Sequence, residues 1–265
     1  MRSILATYSP KRYFKLILPI GGLAICVYVA AVLCEFDLGA LTFGIIDGFS
    51  RLTIFFPPDW TVTMTMLNQS AITVLISMLA TPIAVIISLG IAIAAASNVS
   101  NKILRPFARV ALGLERALPE IIVLIMLVKA LDIGLFPAVV AIAIGSVGML
   151  GKLLADAIEE VEERRLEALK ASGASYWQVI RYTVIPDVLP SLIANSIFRF
   201  EVNIRAATVL GGVAGVGIGY ELIRAIAVVD YQRATVAIVL IMALVNLSER
   251  VSNFAREKIL TKERL

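Results

Sequence analysis

Three charged residues and an asparagine stand in a run that is apolar but for Thr208: Arg199, Glu201, Asn203 and Arg205, within FRFEVNIRAATVL from Phe198 to Leu210. A guanidinium presents several N–H donors in one plane, which matches the oxygens of a phosphoryl group or a carboxylate. Glu201 and Arg205 are at i and i+4, so on a helix they share a face and can pair. Arg199 is two residues from Glu201 and faces elsewhere, and Asn203 adds a polar group between them. Arg199 lies 12 residues past Asp187, about 18 Å along a helix and so near mid-bilayer if the run crosses a membrane. A charge at that depth is costly and is by default a functional candidate. Two readings stand side by side. In one, Arg199 or Arg205 lines a translocation path and meets an oxyanion. In the other, the charges pair across helices, with Glu115, Arg116 or Glu120 as partners, and fix packing.

Other chemistries are excluded or weak. The chain has no histidine, so histidine catalysis, histidine metal sites and histidine pH switching are absent. Cys26 and Cys34, eight residues apart on one expected helix, are separated by about 12 Å along its axis, too far for a disulfide between them. They read as small buried apolar residues. There is no G-x-x-x-x-G-K-[ST] loop, and GGVAGVGIGYE, from Gly211, follows an apolar run and lacks G-x-G-x-x-G spacing. Its glycines, Gly212, Gly215, Gly217 and Gly219, read as a close-packed or flexible turn at the outer face, suited to an outer gate or a partner contact, or to packing alone.

The elements that must carry these residues are membrane helices. The 265 residues are 59% hydrophobic and 17% charged, with a mean hydropathy of +0.90, well above soluble globular domains. Spans are expected over about 16–34, 71–96, 110–130, 133–151, 188–212 and 234–250, six in an all-α, polytopic protein. The first, Leu16 to Cys34, reads as an uncleaved transmembrane helix rather than a signal peptide. Trp60, Asn68 and Gln69 read as the interfacial approach to the second, which Pro82 kinks. The third must include Glu115, Arg116, Pro119 and Glu120 if it crosses fully.

Lysine and arginine set the orientation. Four cations precede Leu16, three lie in Ser97–Arg109, four in Arg164–Arg181 and five in the tail from Arg250, so 16 share one side. Arg51, Lys129, Arg224 and Arg233 make four on the other. The bias puts residues 1–15, the loop 152–187 and the tail 251–265 in the cytoplasm. The net charge of +4 therefore reads as membrane orientation, not nucleic-acid binding.

The polar segment Lys152 to Asp187 reads as ordered. Asp156 to Lys170 has an approximate apolar helical face in Ala155, Ile158, Val161 and Leu166 or Leu169. Gly173 punctuates it, and Ser175 caps a second short helix through Gln178 to Tyr182. Pro186 and Pro190 mark the return to the bilayer. A charged, ordered loop of this kind suits a partner docking in the cytoplasm.

Glu167-Ala168, Gly173 six residues after Glu167, and Ile185-Pro186, with Pro186 thirteen residues after Gly173, resemble the EAA loop of ABC importer permeases, although Leu169 stands at the place of the second Ala. The resemblance implies a coupling helix that docks into an ATPase subunit, carried by Glu167, Ala168, Gly173, Ala174, Ser175 and Pro186. RALPEIIVLIML (Arg116 to Leu127), EALKASGAS and the block Phe198 to Leu222 are similar to the phosphonate-transport permease family, over most of the chain beyond its first 60 residues. That family implies the type I ABC importer permease fold and import of phosphonate or a related phosphorus oxyanion such as phosphite or phosphate. It also implies a non-catalytic subunit that binds no cofactor. ATP and Mg then belong to a partner ATPase, expected in two copies. The remaining expected partners are an extracytoplasmic substrate-binding protein and a second permease copy, identical or related, in a bacterial cytoplasmic membrane. Rival readings are an importer of another solute, such as methionine or an amine, and a stand-alone secondary transporter or channel.

Overall fold

The structure, a computed structural model, describes residues 10–261. Arg2, Lys262 and Arg264, counted above among the orienting cations, lie outside the described residues. Every regular element among them is helical. The chain divides into residues 1–54 and 55–265. In the first, Pro10–Leu33 forms α1 and Leu38–Arg51 forms α2. Asp37 caps α2 by accepting from the Gly39 amide at 2.7 Å. Cys26 and Cys34 are free and exposed here, so they are not the buried residues expected.

The second unit is a helical bundle. Its first long helix, α3 (Thr63–Ala95), has two apolar faces. Ala80, Ala84, Ala92 and Ala95 are fully buried, whereas Leu79, Ile83 and Ile86 are exposed. Small residues let backbones approach closely, which supplies the packing that hydrophobicity cannot supply between helices in lipid. The partner seam lies on α6 (Leu135–Glu159), with Ala138, Ala141 and Ala143 buried. Two hydroxyls on α3 are satisfied within the helix, Ser77 donating to the Thr73 carbonyl at 3.0 Å and Thr81 to the Ser77 carbonyl at 2.8 Å, whereas Ser88 donates across to the Val147 carbonyl of α6 at 3.2 Å. Asn68 and Gln69 belong to this helix rather than to an approach.

The region expected as the third span is two helices, α4 (Leu104–Ala117) and α5 (Glu120–Leu131). Leu118 is extended at φ −91°, ψ 119° because the following Pro119 disfavours helical backbone there. The polar segment also divides differently from the expectation. A helix from Asp156 to Lys170 does not form; α6 continues to Glu159, and α7 occupies Glu163–Ala171. The break lets Ile158, Val161 and Leu166 pack into one cluster with Val179, Ile180 and Val184.

After α7 come α8 (Tyr176–Val179), a π turn (Ile180–Val184) and α9 (Ile185–Ala214), without interruption. Pro186 and Pro190 therefore sit inside a continuous helical run. Proline cannot donate the regular bond. The π turn just ahead takes up the mismatch, with the Ile185 N–H reaching the Ile180 carbonyl five residues back. α10 (Gly217–Ala227) follows, at 49° to the α8–α9 run. The last helix, α11, runs Tyr231–Thr261, so residues 251–261 extend it.

Among the described residues, Trp60–Ala95, Leu135–Glu159 and Tyr231–Lys258 are each long and apolar enough to cross a membrane, and the bent pair ending in α10 makes a fourth.

Candidate functional site

The polar residues on α9 split between two environments. Arg199 is buried and all its donors stay inside the chain. Its Nε donates to Ser146 Oγ at 2.9 Å, and its Nη2 donates to Glu120 Oε1 at 2.6 Å and to the Gly145 carbonyl at 2.8 Å. Asn203 is fully buried beside it. Its Nδ2 donates to Thr81 Oγ1 at 3.0 Å, and its Oδ1 lies 3.0 Å from Ser146 Oγ. One polar chain thus links α3, α5, α6 and α9. Gly145 gives Glu120 its place, because a Cβ there would overlap the Glu120 side chain. Gly148, one turn on, does the same for Glu115.

Glu201 points to another side. It is buried, and its Oε1 accepts from Arg205 Nη2 at 2.5 Å. Arg256 of α11 lies 3.5 Å from its other oxygen, and Arg205 is 3.9 Å from Glu249. Arg205 itself is about half exposed. Arg116 is exposed at the end of α4 and joins neither cluster.

The glycine stretch is a packed turn. Gly215 ends α9 in the left-handed region at φ +72°, and Gly217 opens α10 at φ +74°. The Ile218 amide donates to Thr73 Oγ1 at 3.1 Å, fastening the turn to α3. Gly219 presses on the Thr208 carbonyl and Gly212 on Ile223, so α10 lies close along α9.

The segment α7–α8 contrasts with these interiors. Glu167, Ala168, Gly173, Ser175 and Pro186 are exposed, and Ala174 is half-buried. Gly173 adopts φ +84° with open space where a Cβ would stand, so its requirement is conformational rather than steric. The Ser175 amide donates to Gln178 Oε1 at 2.7 Å, one arm of a capping box. Trp177 is 71% exposed and Tyr182 is also exposed, while Val179, Ile180 and Val184 anchor the opposite face. Arg165 Nη1 donates to both Asp187 oxygens at 2.7 Å, tying α7 to the start of α9. The Asp187 carboxylate keeps the Arg165 guanidinium above its ordinary pKa by hydrogen bonding and charge.

Arg199, Glu201, Asn203, Arg205 and Glu120 were legible in the sequence as members of these clusters. Thr81 of α3 was not, nor were Gly145, Ser146 and Gly148, whose signal is the run of small residues GSVG in α6. Nor were Arg256, Arg165 and Asp187 legible as partners. Among the described residues no group of His, Cys, Asp and Glu has the arrangement to hold a metal.

Comparison with known proteins agrees with this architecture. The family of binding-protein-dependent transport system inner membrane components matches residues 86–253. The phosphite transport system permease protein PtxC of Stutzerimonas stutzeri is 38% identical over 202 residues, covering 76% of this chain and 74% of that protein. The phosphate-import permease protein PhnE of Mycolicibacterium smegmatis is 34% identical over 236 residues, 88% of this chain but 44% of that longer protein. Among solved structures, a chain of the MetNI methionine ABC transporter in an inward-facing conformation superposes with a TM-score of 0.67 at 18% identity, covering 76% of this chain and 99% of that chain. That likeness is one of fold. This chain belongs to the family of binding-protein-dependent transport system inner membrane components: it is a multi-pass inner-membrane permease subunit of an ABC importer, a transport component whose ATPase is a separate subunit.

Proposed function

We propose that the chain is the permease of an ATP-driven importer for a phosphonate or a related phosphorus oxyanion, phosphite or phosphate. The observation that carries this reading is the 38% and 34% identity to permeases whose names specify phosphite and phosphate, each over three quarters or more of this chain. The bias of lysine and arginine supports cytoplasmic termini and a cytoplasmic α7–α8 segment. Two ATPase subunits, which hold ATP and Mg, then dock on α7–α8 of two permease copies. A homodimer is the simplest symmetric solution. A binding protein delivers cargo at the other face.

The geometry suggests how motion would travel. Closure of the ATPase dimer moves the exposed surface around Ala168, Gly173 and Trp177. Arg165–Asp187 and the apolar cluster beneath fasten α7 to α9. The run Tyr176–Ala214 is continuous, so displacement at its start carries along about 58 Å of helix. It reaches Arg205 and the glycine turn, which acts as the outer gate. Arg199 and Asn203 hold the bundle together through their partners on α3, α5 and α6. Arg205, with Glu201 beneath it, lines the path, because half-exposed charge on a membrane helix faces water or protein rather than lipid.

The test is co-expression with the cognate binding protein and ATPase, followed by uptake with competing phosphonate, phosphite, phosphate and methionine. The reading expects at least one phosphorus oxyanion to compete and methionine not to. Competition by methionine alone would overturn the cargo assignment.

A further inference from the structure

A cavity of about 300 Å³ opens between α3, α4 and α6. One wall carries Arg109, Gly113 and Arg116 of α4, and the other carries Lys152, Ala155 and Asp156 of α6. On α4 these are positions i, i+4 and i+7, and on α6 i, i+3 and i+4, so each set shares one helical face. Gly113 adds no side chain between the two arginines.

The cations are not equally engaged. Arg109 is anchored, with Nε donating to the Ala95 carbonyl at 3.0 Å and Nη2 to Glu159 at 2.5 Å. Among the described residues, Arg116 and Lys152 enter no ion pair within 4.0 Å. Neither does Asp156, although it stands four residues from Lys152 on the same helix. Glu115, next to Arg116, lies over Gly148 on α6 and bridges to neither free cation. The Glu115 carboxylate acts on Arg116 through space, but among the described residues neither Arg116 nor Lys152 has an ion-pair or hydrogen-bond partner in the protein, and such cations on a membrane bundle call for water or a counter-ion. A tetrahedral oxyanion fits them: the fork of Arg116 takes two oxygens, the Lys152 ammonium takes a third, and the Asp156 carboxylate accepts from a hydroxyl on the ligand. Arg109 lies level with the last turn of α3, and Arg116 is two turns of α4, about 10 Å, further along. The cavity therefore runs along the bundle from one end, with Arg116, Lys152 and Asp156 exposed on its walls.

We propose that this cavity binds a phosphoryl or phosphonyl group through Arg116 and Lys152, with Arg109 at its mouth. The ligand is either a free phosphorus oxyanion or the headgroup of an anionic phospholipid. Only the free-anion source rests on the cargo reading above.

Two probes applied to the purified permease–ATPase complex separate the sources. In nonionic detergent, equilibrium dialysis measures binding of radiolabelled inorganic phosphate. In phosphatidylcholine nanodiscs containing some phosphatidylglycerol, native mass spectrometry measures retained phosphatidylglycerol. At least one probe is expected to bind saturably to the wild type, and to bind about tenfold or more weakly to the doubly substituted Arg116→Gln, Lys152→Gln protein. Asp156→Asn keeps an acceptor and removes the negative charge, so it should tighten binding several-fold. That variant decides the matter if the double variant does not assemble. Binding of neither probe, equal binding by the double variant, or unchanged affinity in Asp156→Asn would each overturn the proposal. Uptake is not read here, so failure of the cargo assignment leaves the lipid result standing, and failure of both probes leaves the cargo assignment standing.

Discussion

Two ion pairs of nearly equal length occupy opposite environments. Arg199–Glu120 spans 2.6 Å with side chains 6% and 26% exposed; Arg165–Asp187 spans 2.7 Å with side chains 58% and 28% exposed. The first lies among α5, α6 and α9, where every further donor of Arg199 also finds a protein acceptor. The second ties α7 to α9 in the segment proposed to meet the ATPase. Equal geometry does not mean equal worth. A buried charge that loses its partner keeps its desolvation cost, whereas an exposed charge regains water and loses little. The interior network is therefore a condition of folding, and the exposed one can be spent on partner binding and motion.

The largest effect should come from breaking the interior pair. Arg199→Leu leaves Glu120, Ser146 and the Gly145 carbonyl without their donor. We expect a loss of about 3–5 kcal/mol, seen as a large drop in melting temperature or failure of the detergent-purified chain to elute as one species. Arg199→Met with Glu120→Leu should recover much of that loss, because it removes both charges rather than stranding one. If the single and double variants are equally unstable, the guanidinium is not there for its pair. Next in size is Gly219→Ala. A methyl there would overlap the backbone carbonyl of Thr208, which cannot swing away as a side chain could. About 1–3 kcal/mol of destabilisation is expected, again read by melting temperature.

The exposed segment should respond in the other way. Gly173→Val meets no neighbour but forces a branched residue into left-handed backbone, a cost of about 1–2 kcal/mol. Its main consequence should be weaker co-purification of the ATPase, and Gly173→Asn should retain most binding because Asn tolerates that conformation. Loss of folding with no change in ATPase retention would contradict the docking assignment.

How much of this was readable from the sequence follows the same division. The turn at Gly173 and the Ser175 cap are local, set by residues within three or four positions, and the structure has both. Glu201 and Arg205 are one helical turn apart, and they pair. The partner of Arg199 could only be narrowed to a short list, because Glu120 lies 79 residues away and helical periodicity carries no information over that distance. The room for Glu120 comes from a missing side chain, at Gly145. The continuity of the helix through Pro186 was not legible for a related reason: proline punctuation is a local rule, and a π turn five residues long accommodates it. The break at Glu160–Glu162 was hidden because Val161 fits an apolar helical stripe equally well whether the helix continues or turns.

The smallest effect on stability, and the sharpest test of the comparison, is at Arg165. Arg165→Gln removes the guanidinium that holds both oxygens of Asp187. Because the Arg165 side chain is 58% exposed, the melting temperature should change little, and raising the salt from about 0.15 to 1 M should not separate the variant from wild type by this measure. Transport is a different matter if α7 and α9 must move together. Without the bridge, α7 is held to α9 only through Leu166 and the cluster around Val179 and Val184. ATPase docking should then survive while binding-protein-stimulated ATP hydrolysis and uptake fall together. Arg165→Lys, which keeps the charge on a shorter, more strongly hydrated head, should fall between the two. An unchanged uptake rate would show that the cluster alone transmits the motion. A large drop in melting temperature would show that exposure is a poor guide to what an ion pair in this protein is worth, and the contrast with Arg199–Glu120 would lose its basis.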